Sequence, residues 1–316
     1  MGTLSACAYL ALVFRPPRIT SAIIPVSRYA KPLSQSDATT STEDTPESGA
    51  TEPRQRTNTG KAEDKAPLLS TTPPTSLRRA LLVIAHPDDE CMFFGPLLTA
   101  LQRWQSERTD DPHPNVEVHV LCLSAGNYDK KGGVRKVELV RSCQALGIAK
   151  ENIVIVDDPA LPDNPKKVWN VKMVAKLVEK CVVDRGIGSV FTFDMRGVSG
   201  HMNHIAVYLG VQHMLGFSRK VNARTLPCYR LVSVSLFRKY VSLFDSLFSL
   251  AIATQPDDSG AGLVSTPDYL LFVAHWRDVA QARNAMQQHQ SQMIWFRHLY
   301  ILFSRYMVIN GFERMK

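Results

Sequence analysis

The stretch Ala80-Leu81-Leu82-Val83-Ile84-Ala85-His86-Pro87-Asp88-Asp89-Glu90 decides how this chain is read. Its apolar run has no polar alternation, as expected of a strand buried on both faces of a parallel sheet. A His and three acids then leave the strand end within five residues. Crowded carboxylates repel one another unless positive charge sits among them. A bound metal ion meets that need, and His with carboxylates suits zinc and similar divalent ions. Acids at the start of a helix also favour its dipole. That accounts for one or two of the acids but not for His86.

The pattern alternates downstream. Residues 90–104 read as a helix, 116–124 as a strand and 134–146 as a helix ending at Gly147, a residue suited to a helix C-terminus. Residues 153–156 read as a strand, 168–184 as a helix, 189–193 as a strand and 203–215 as a helix. This predicts a three-layer α/β fold: a mainly parallel, Rossmann-like sheet with helices on both faces. Further strands are predicted over 229–236 and 269–274, and a helix over 276–289. Residues 240–253 are apolar, and 254–268 read as a loop. No G-x-G-x-x-G follows the first strand, which disfavours a dinucleotide-binding oxidoreductase.

Ligands of parallel α/β sheets bind at the carboxyl ends of strands. The first strand end offers His86, Asp88, Asp89 and Glu90. The second offers Ser124-Ala125-Gly126-Asn127. The fourth offers Asp194 and then His201-Met202-Asn203-His204. His201 and His204 lie three apart at a helix start, so both rings can approach one centre. His86, one Asp of the pair and one of these His residues would make a three-ligand set with an open position, the layout of a catalytic zinc site. The remaining Asp and His are left for acid–base work or oxyanion stabilisation. Arg135, on the helix after the second strand, can meet a substrate phosphate or form local ion pairs with Glu138.

The 316 residues are 45% apolar and carry a net charge of +8. Residues 1–76 hold eight Lys/Arg and seven Asp/Glu, so the basic excess lies in 77–316. No nucleic-acid-binding motif accompanies it, and a nucleic-acid partner is not expected. Six cysteines without a C-x-x-C pair read as free buried thiols in a reducing compartment. Residues 1–31 read as a targeting or membrane-anchor segment, 32–76 as a disordered linker and 77–316 as the folded domain. No stretch reaches the ~18–20 apolar residues of a membrane span. Residues 293–309 mix Trp295, Phe296, Tyr300, Phe303 and Tyr306 with Arg297 and Arg305, a pattern that fits either a membrane interface or a packed terminal helix.

Five ordered motifs carry a resemblance to a known family. They are His86-Pro87-Asp88-Asp89-Glu90, Ser124-Ala125-Gly126-Asn127, Arg135 with Glu138, Thr192-Phe193-Asp194 through His204, and Gln292 through Met307. Together they resemble the LmbE-like de-N-acetylases, and within these the branch acting on N-acetylglucosaminyl-phosphatidylinositol. The resemblance implies a zinc-dependent amide hydrolase with His86, Asp89 and His204 on the metal. It makes Asp88 the general base and His201 the group that stabilises the oxyanion or assists departure of the amine. Asp194 would orient His201, and Arg135, Glu138, Ser124 and Asn127 would contact substrate. It further implies a glycolipid substrate, a membrane surface, and a place at the endoplasmic reticulum membrane with the catalytic domain facing the cytosol. The same chemistry on another N-acetylglucosaminide and a catalytically silent binding subunit are the alternatives.

Overall fold

The computed structural model describes residues 75–106, 116–234 and 268–316. The expectations for residues 1–31, for most of 32–76, for the apolar run 240–253 and for nearly all of the loop at 254–268 lie outside the described residues. Five strands run parallel: β1 (Arg79–Ile84), β2 (Glu117–Cys122), β3 (Ile153–Ile155), β4 (Ser189–Thr192) and β5 (Cys228–Leu231). Two more, β6 (Tyr269–Val273) and β7 (Ile309–Arg314), complete a seven-stranded sheet in the order β3-β2-β1-β4-β5-β7-β6. β7 is antiparallel to both of its neighbours.

The crossovers are helices. They are α1 (Asp89–Ser106), α2 (Gly132–Ala145), α3 (Val171–Asp184) and α4 (Met202–Phe217). Two more follow β6: α5 (Trp276–Gln287) and α6 (Trp295–Phe303). α1 and α2 both pack on α5, while α3 packs on α4. Right-handed crossovers require this: β1 to β3 advance toward one sheet edge, and β4 and β5 toward the other. The predicted three-layer α/β architecture is the observed one. Strand order reverses between β1 and β4, the crevice where such sheets bind ligands.

α2 ends as its sequence predicts. Gly147 takes φ +77°. Its N–H donates to the Gln144 carbonyl at 2.9 Å, and that of Ile148 to the Cys143 carbonyl at 2.9 Å, a Schellman closure.

α1 contains Pro96, which has no N–H for the Met92 carbonyl. The Tyr300 hydroxyl of α6 donates to that carbonyl instead, at 2.9 Å. One residue on, Asn310 Oδ1 accepts from Leu97 N–H at 3.2 Å, and its Nδ2 donates to the Phe93 carbonyl at 2.9 Å. The proline thus opens a turn of α1 that the C-terminal segment fills. This places α6 above the carboxyl end of β1. The one strand absent from the sequence reading is β7. Its Asn310-Gly311 pair argues against a strand locally, yet β7 threads between β5 and β6.

Candidate active site

His86 and Asp89 follow β1, and His201 and His204 follow β4. The backbone at both ends is locked. Asp89 Oδ2 accepts the N–H groups of Ala85 and His86 at 3.1 and 2.8 Å, which turns the chain back over the strand end. Asp88 sits at φ +113°, outside the ordinary range for a residue with a side chain. Glu90 Oε2 holds its N–H at 3.0 Å. After β4, Gly197, Val198 and Gly200 all have positive φ. A β-branched residue there costs of order 1–3 kcal/mol and persists only under constraint.

The three imidazoles converge. Ring centroids of His86 and His201 lie 4.8 Å apart, those of His201 and His204 4.8 Å, and those of His86 and His204 5.4 Å. One ligand atom of each lies within 4.8 Å of the others. His204 stacks on Phe193 at 4.1 Å, and its Nε2 is 3.2 Å from Asp89 Oδ1. His204 Nδ1 meets the Gly197 carbonyl at 3.1 Å, which places the proton on Nδ1 and the lone pair on Nε2. His201 is the reverse: its Nδ1 accepts from Asn203 N–H at 3.3 Å, so Nε2 carries the proton. The Nε2 atoms of His86 and His204 are buried without a hydrogen-bond partner among the described residues. Orphaned buried nitrogens with carboxylate oxygens beside them are what a divalent cation satisfies.

Electrostatics agree. Burial pushes the His86 imidazole well below its usual range, so it stays neutral and able to ligate. Burial and the neighbouring His204 bring His201 down to about 4. Burial alone would raise Asp89, but the imidazoles of His204 and His86 beside it hold it well below the carboxylate range. Burial raises Asp88 against the opposing pull of Arg297 and Arg135.

The cluster floors a cleft of about 920 Å³ whose wall includes Trp295, Phe296, Arg297, Leu299 and Phe303 of α6. Trp295 is 75% exposed, and Phe296, Leu299, Leu302 and Phe303 are each about half exposed. Tyr300 of the same helix also lines the cleft and is buried. Among the described residues, no helix is long and apolar enough to cross a membrane.

The profile of the family described as GlcNAc-PI de-N-acetylase (PIG-L) matches residues 81–215. The chain is 40% identical over 233 residues to the N-acetylglucosaminyl-phosphatidylinositol de-N-acetylase of Bos taurus, a match covering 74% of this chain and 82% of that protein. The chain belongs to the GlcNAc-PI de-N-acetylase family. It is also 38% identical over 235 residues to the probable enzyme of that name from Schizosaccharomyces pombe, covering 74% of this chain and 86% of that one. Among solved structures, the N,N'-diacetylchitobiose deacetylase from Pyrococcus horikoshii aligns with a TM-score of 0.44 at 16% identity, covering 75% of this chain and 84% of that chain.

In this member of the GlcNAc-PI de-N-acetylase family, four residues expected to contact or orient substrate bond groups of the protein. Asp194 does not bond His201. Its Oδ1 accepts from Ser233 Oγ and Arg196 N–H at 2.6 and 3.0 Å, and its Oδ2 from Ser233 N–H at 2.8 Å. Ser233 Oγ in turn accepts the Val198 N–H at 3.0 Å. Asp194 therefore braces the strained loop that carries His201 rather than the ring itself. Ser124 Oγ donates to the Ala85 carbonyl at 3.0 Å, tying two strand ends together. Asn127 Oδ1 accepts from Gly132 N–H at 2.9 Å, fixing the loop that leads into α2. Glu138 is buried and holds Ser291 through N–H and Oγ at 2.7 and 2.6 Å. Arg135 does line the cleft, but its Nη1 and Nη2 donate to the carbonyls of Gly126 and Pro87 at 2.9 and 2.6 Å. Short polar side chains beside a strand end look alike in sequence whether they face ligand or backbone.

Sequence reasoning missed three groups. Asp163, between β3 and α3, faces His86 Nε2 at 3.2 Å and Arg135 at 3.3 Å. Arg297 Nη2 bonds Asp88 Oδ2 at 2.9 Å. His289 is fully buried and meets Glu90 Oε1 at 2.6 Å, beside Ser142 Oγ at 2.5 Å. Glu90, Cys91 and His289 also cluster. Burial pushes the Cys91 thiol well up.

The Glu90–His289 pair predicts a pH window. Burial would raise Glu90, yet His289 and Ser142 hold it below its ordinary 4.5, so its contribution fades as pH falls through the lowered value. Burial would lower His289, yet Glu90 holds it above its ordinary 6.5, so its contribution fades as pH rises through the raised value. The pair stabilises fully between about 4.5 and 6.5. Thermal melts of parent and His289→Gln should differ most there and converge above it. An equal difference at all pH values from 5 to 9 would refute the charged pair.

Proposed function

We propose that this cleft hydrolyses the acetamide of N-acetylglucosaminyl-phosphatidylinositol, giving glucosaminyl-phosphatidylinositol and acetate, the second step of glycosylphosphatidylinositol anchor synthesis. The observation that carries this reading is the His86–Asp89–His204 cluster with Asp88 beside it, in a chain of this family. His86, Asp89 and His204 would hold a divalent ion. Two imidazoles and a carboxylate suit zinc. Such an ion, when bound, polarises the acetamide carbonyl and makes water a nucleophile at neutral pH. The orphaned Nε2 atoms of His86 and His204 support this assignment over a three-histidine set, because His201 carries its proton on Nε2.

Asp88 takes the proton of the attacking water on a carboxylate oxygen. A C–O bond forms at the acetyl carbon, and the amide C–N bond breaks. The proton held by Asp88 passes to the departing amine. His201 Nε2–H donates to the oxyanion that develops on the carbonyl oxygen. Acetate release from synthetic glycolipid, abolished by a chelator and restored by zinc, tests the reading. Undiminished release in chelator with metal-free protein would refute the metal.

The substrate is a lipid, and the exposed face of α6 supports contact with a membrane surface. We place the enzyme at the endoplasmic reticulum membrane with its catalytic domain on the cytosolic side. The five described cysteines, all buried free thiols, fit that reducing side. Replacing Trp295 and Phe296 by Ser should weaken binding to phosphatidylcholine vesicles by about tenfold or more, given the apolar area withdrawn. Metal content should stay unchanged. Vesicle binding equal to the parent's would remove the interfacial role.

A further inference from the structure

We infer that Arg297 is the phosphodiester subsite of this cleft, recognising the anionic link between inositol and lipid while it holds Asp88. The inference rests on the proposed glycolipid reaction and adds a residue that decides substrate choice.

Two guanidinium groups line the cleft, and they differ in what they have left to give. Arg135 is buried; its Nε also has no acceptor among the described residues, but both of its Nη atoms hold main-chain carbonyls. Removing those contacts for a ligand would free two loops. Among the described residues Arg297 has a single oxygen partner: Nη2 is 2.9 Å from Asp88 Oδ2. Its Nη1 meets the Met92 thioether, a weak acceptor. Its Nε is buried and has no acceptor among the described residues. The side chain is 20% exposed and lines the cleft. A planar fork with free N–H groups is the form that binds a phosphate oxygen pair.

Its position adds a second line. Arg297 sits on the first turn of α6, the helix whose Leu299 and Phe303 line the cleft and are half exposed. A lipid whose acyl chains lie along that apolar face carries its phosphate past the same helix. The link to Asp88 runs the other way, toward the reacting end. One side chain therefore touches the base and the group that distinguishes this substrate from a neutral N-acetylglucosaminide. The segment that leads into α6 is held by His289 on Glu90 and Ser291 on Glu138, so the backbone that delivers Arg297 is braced.

The test uses the full chain loaded with zinc and two soluble competitors of acetate release from the glycolipid. One is N-acetylglucosaminyl-inositol carrying a glycerophosphate diester. The other is the same glycan without phosphate. For Arg297→Met, the inhibition constant of the diester should rise about 10- to 100-fold relative to that of the neutral glycan, the worth of a charge-assisted hydrogen bond. Arg297→Lys, which keeps a point charge, should recover part of that ratio. A ratio within twofold of the parent's would overturn the subsite, whatever happens to turnover, because a residue that only positions Asp88 affects both competitors alike. A parent protein that released no acetate would instead sink the glycolipid reading, and this inference with it.

Discussion

Asp88→Asn protein keeps its metal and loses acetate release by about 10²- to 10⁴-fold, the usual worth of a general base. The substitution is nearly isosteric. Asn tolerates positive φ better than most residues, so the φ +113° turn survives. The N–H of residue 88 still has Glu90 Oε2 to donate to. His86, Asp89 and His204 are untouched. What disappears is a carboxylate oxygen able to take a proton, together with the ion pair to Arg297. Metal analysis and initial rates on one preparation check both halves. A rate equal to the parent's would move the base elsewhere, and Asp163, beside His86 Nε2, would be the next group to examine.

His204→Ala protein should come off the column without metal, its affinity down at least ~100-fold, since even partners one step removed from a metal are worth 10–100-fold. The ring also fills space: it stacks on Phe193 and lies 5.8 Å from Phe93. Its removal leaves a cavity that costs about 2 kcal/mol of stability. Comparing metal-free parent with metal-free variant separates that cost from the loss of the ligand. His201→Ala is the informative partner. It should keep its metal and slow turnover, because the His201 Nε2 proton makes it a donor. Metal retained by His204→Ala and lost by His201→Ala would reverse the assignment of the two rings.

Much of the site is legible in sequence because it sits on consecutive residues at predictable strand ends. His86 to Glu90 follow an unmistakable buried strand. His201 and His204 share one helical turn. Their convergence follows from parallel strand order, which right-handed crossovers dictate. Partners that arrive from far along the chain are not legible. Arg297, His289 and Ser291 lie about 150 to 210 residues from the groups they bind, and no local pattern marks those pairings. The protein partners of Asp194, Ser124, Asn127 and Glu138 are not legible for a related reason. A polar side chain at a strand end satisfies whichever donor lies nearest, and that donor is set by loop geometry.

By itself the sequence determined the three-layer fold, the strand ends that form the candidate site and the residue types there that suit a divalent metal. Periodicity and side-chain chemistry are local properties, and they survive without coordinates. Only the tertiary structure decided which nitrogen of His201 and of His204 carries a proton, because the Asn203 N–H and the Gly197 carbonyl make that choice. It also decided that β7 enters the sheet between β5 and β6, and that the turn opened by Pro96 receives Tyr300 and Asn310. Those contacts bring α6 and its arginine over the end of β1. Hydrogen bonds have direction and reach of only about 3 Å, so their partners are known only once the chain has been folded back on itself.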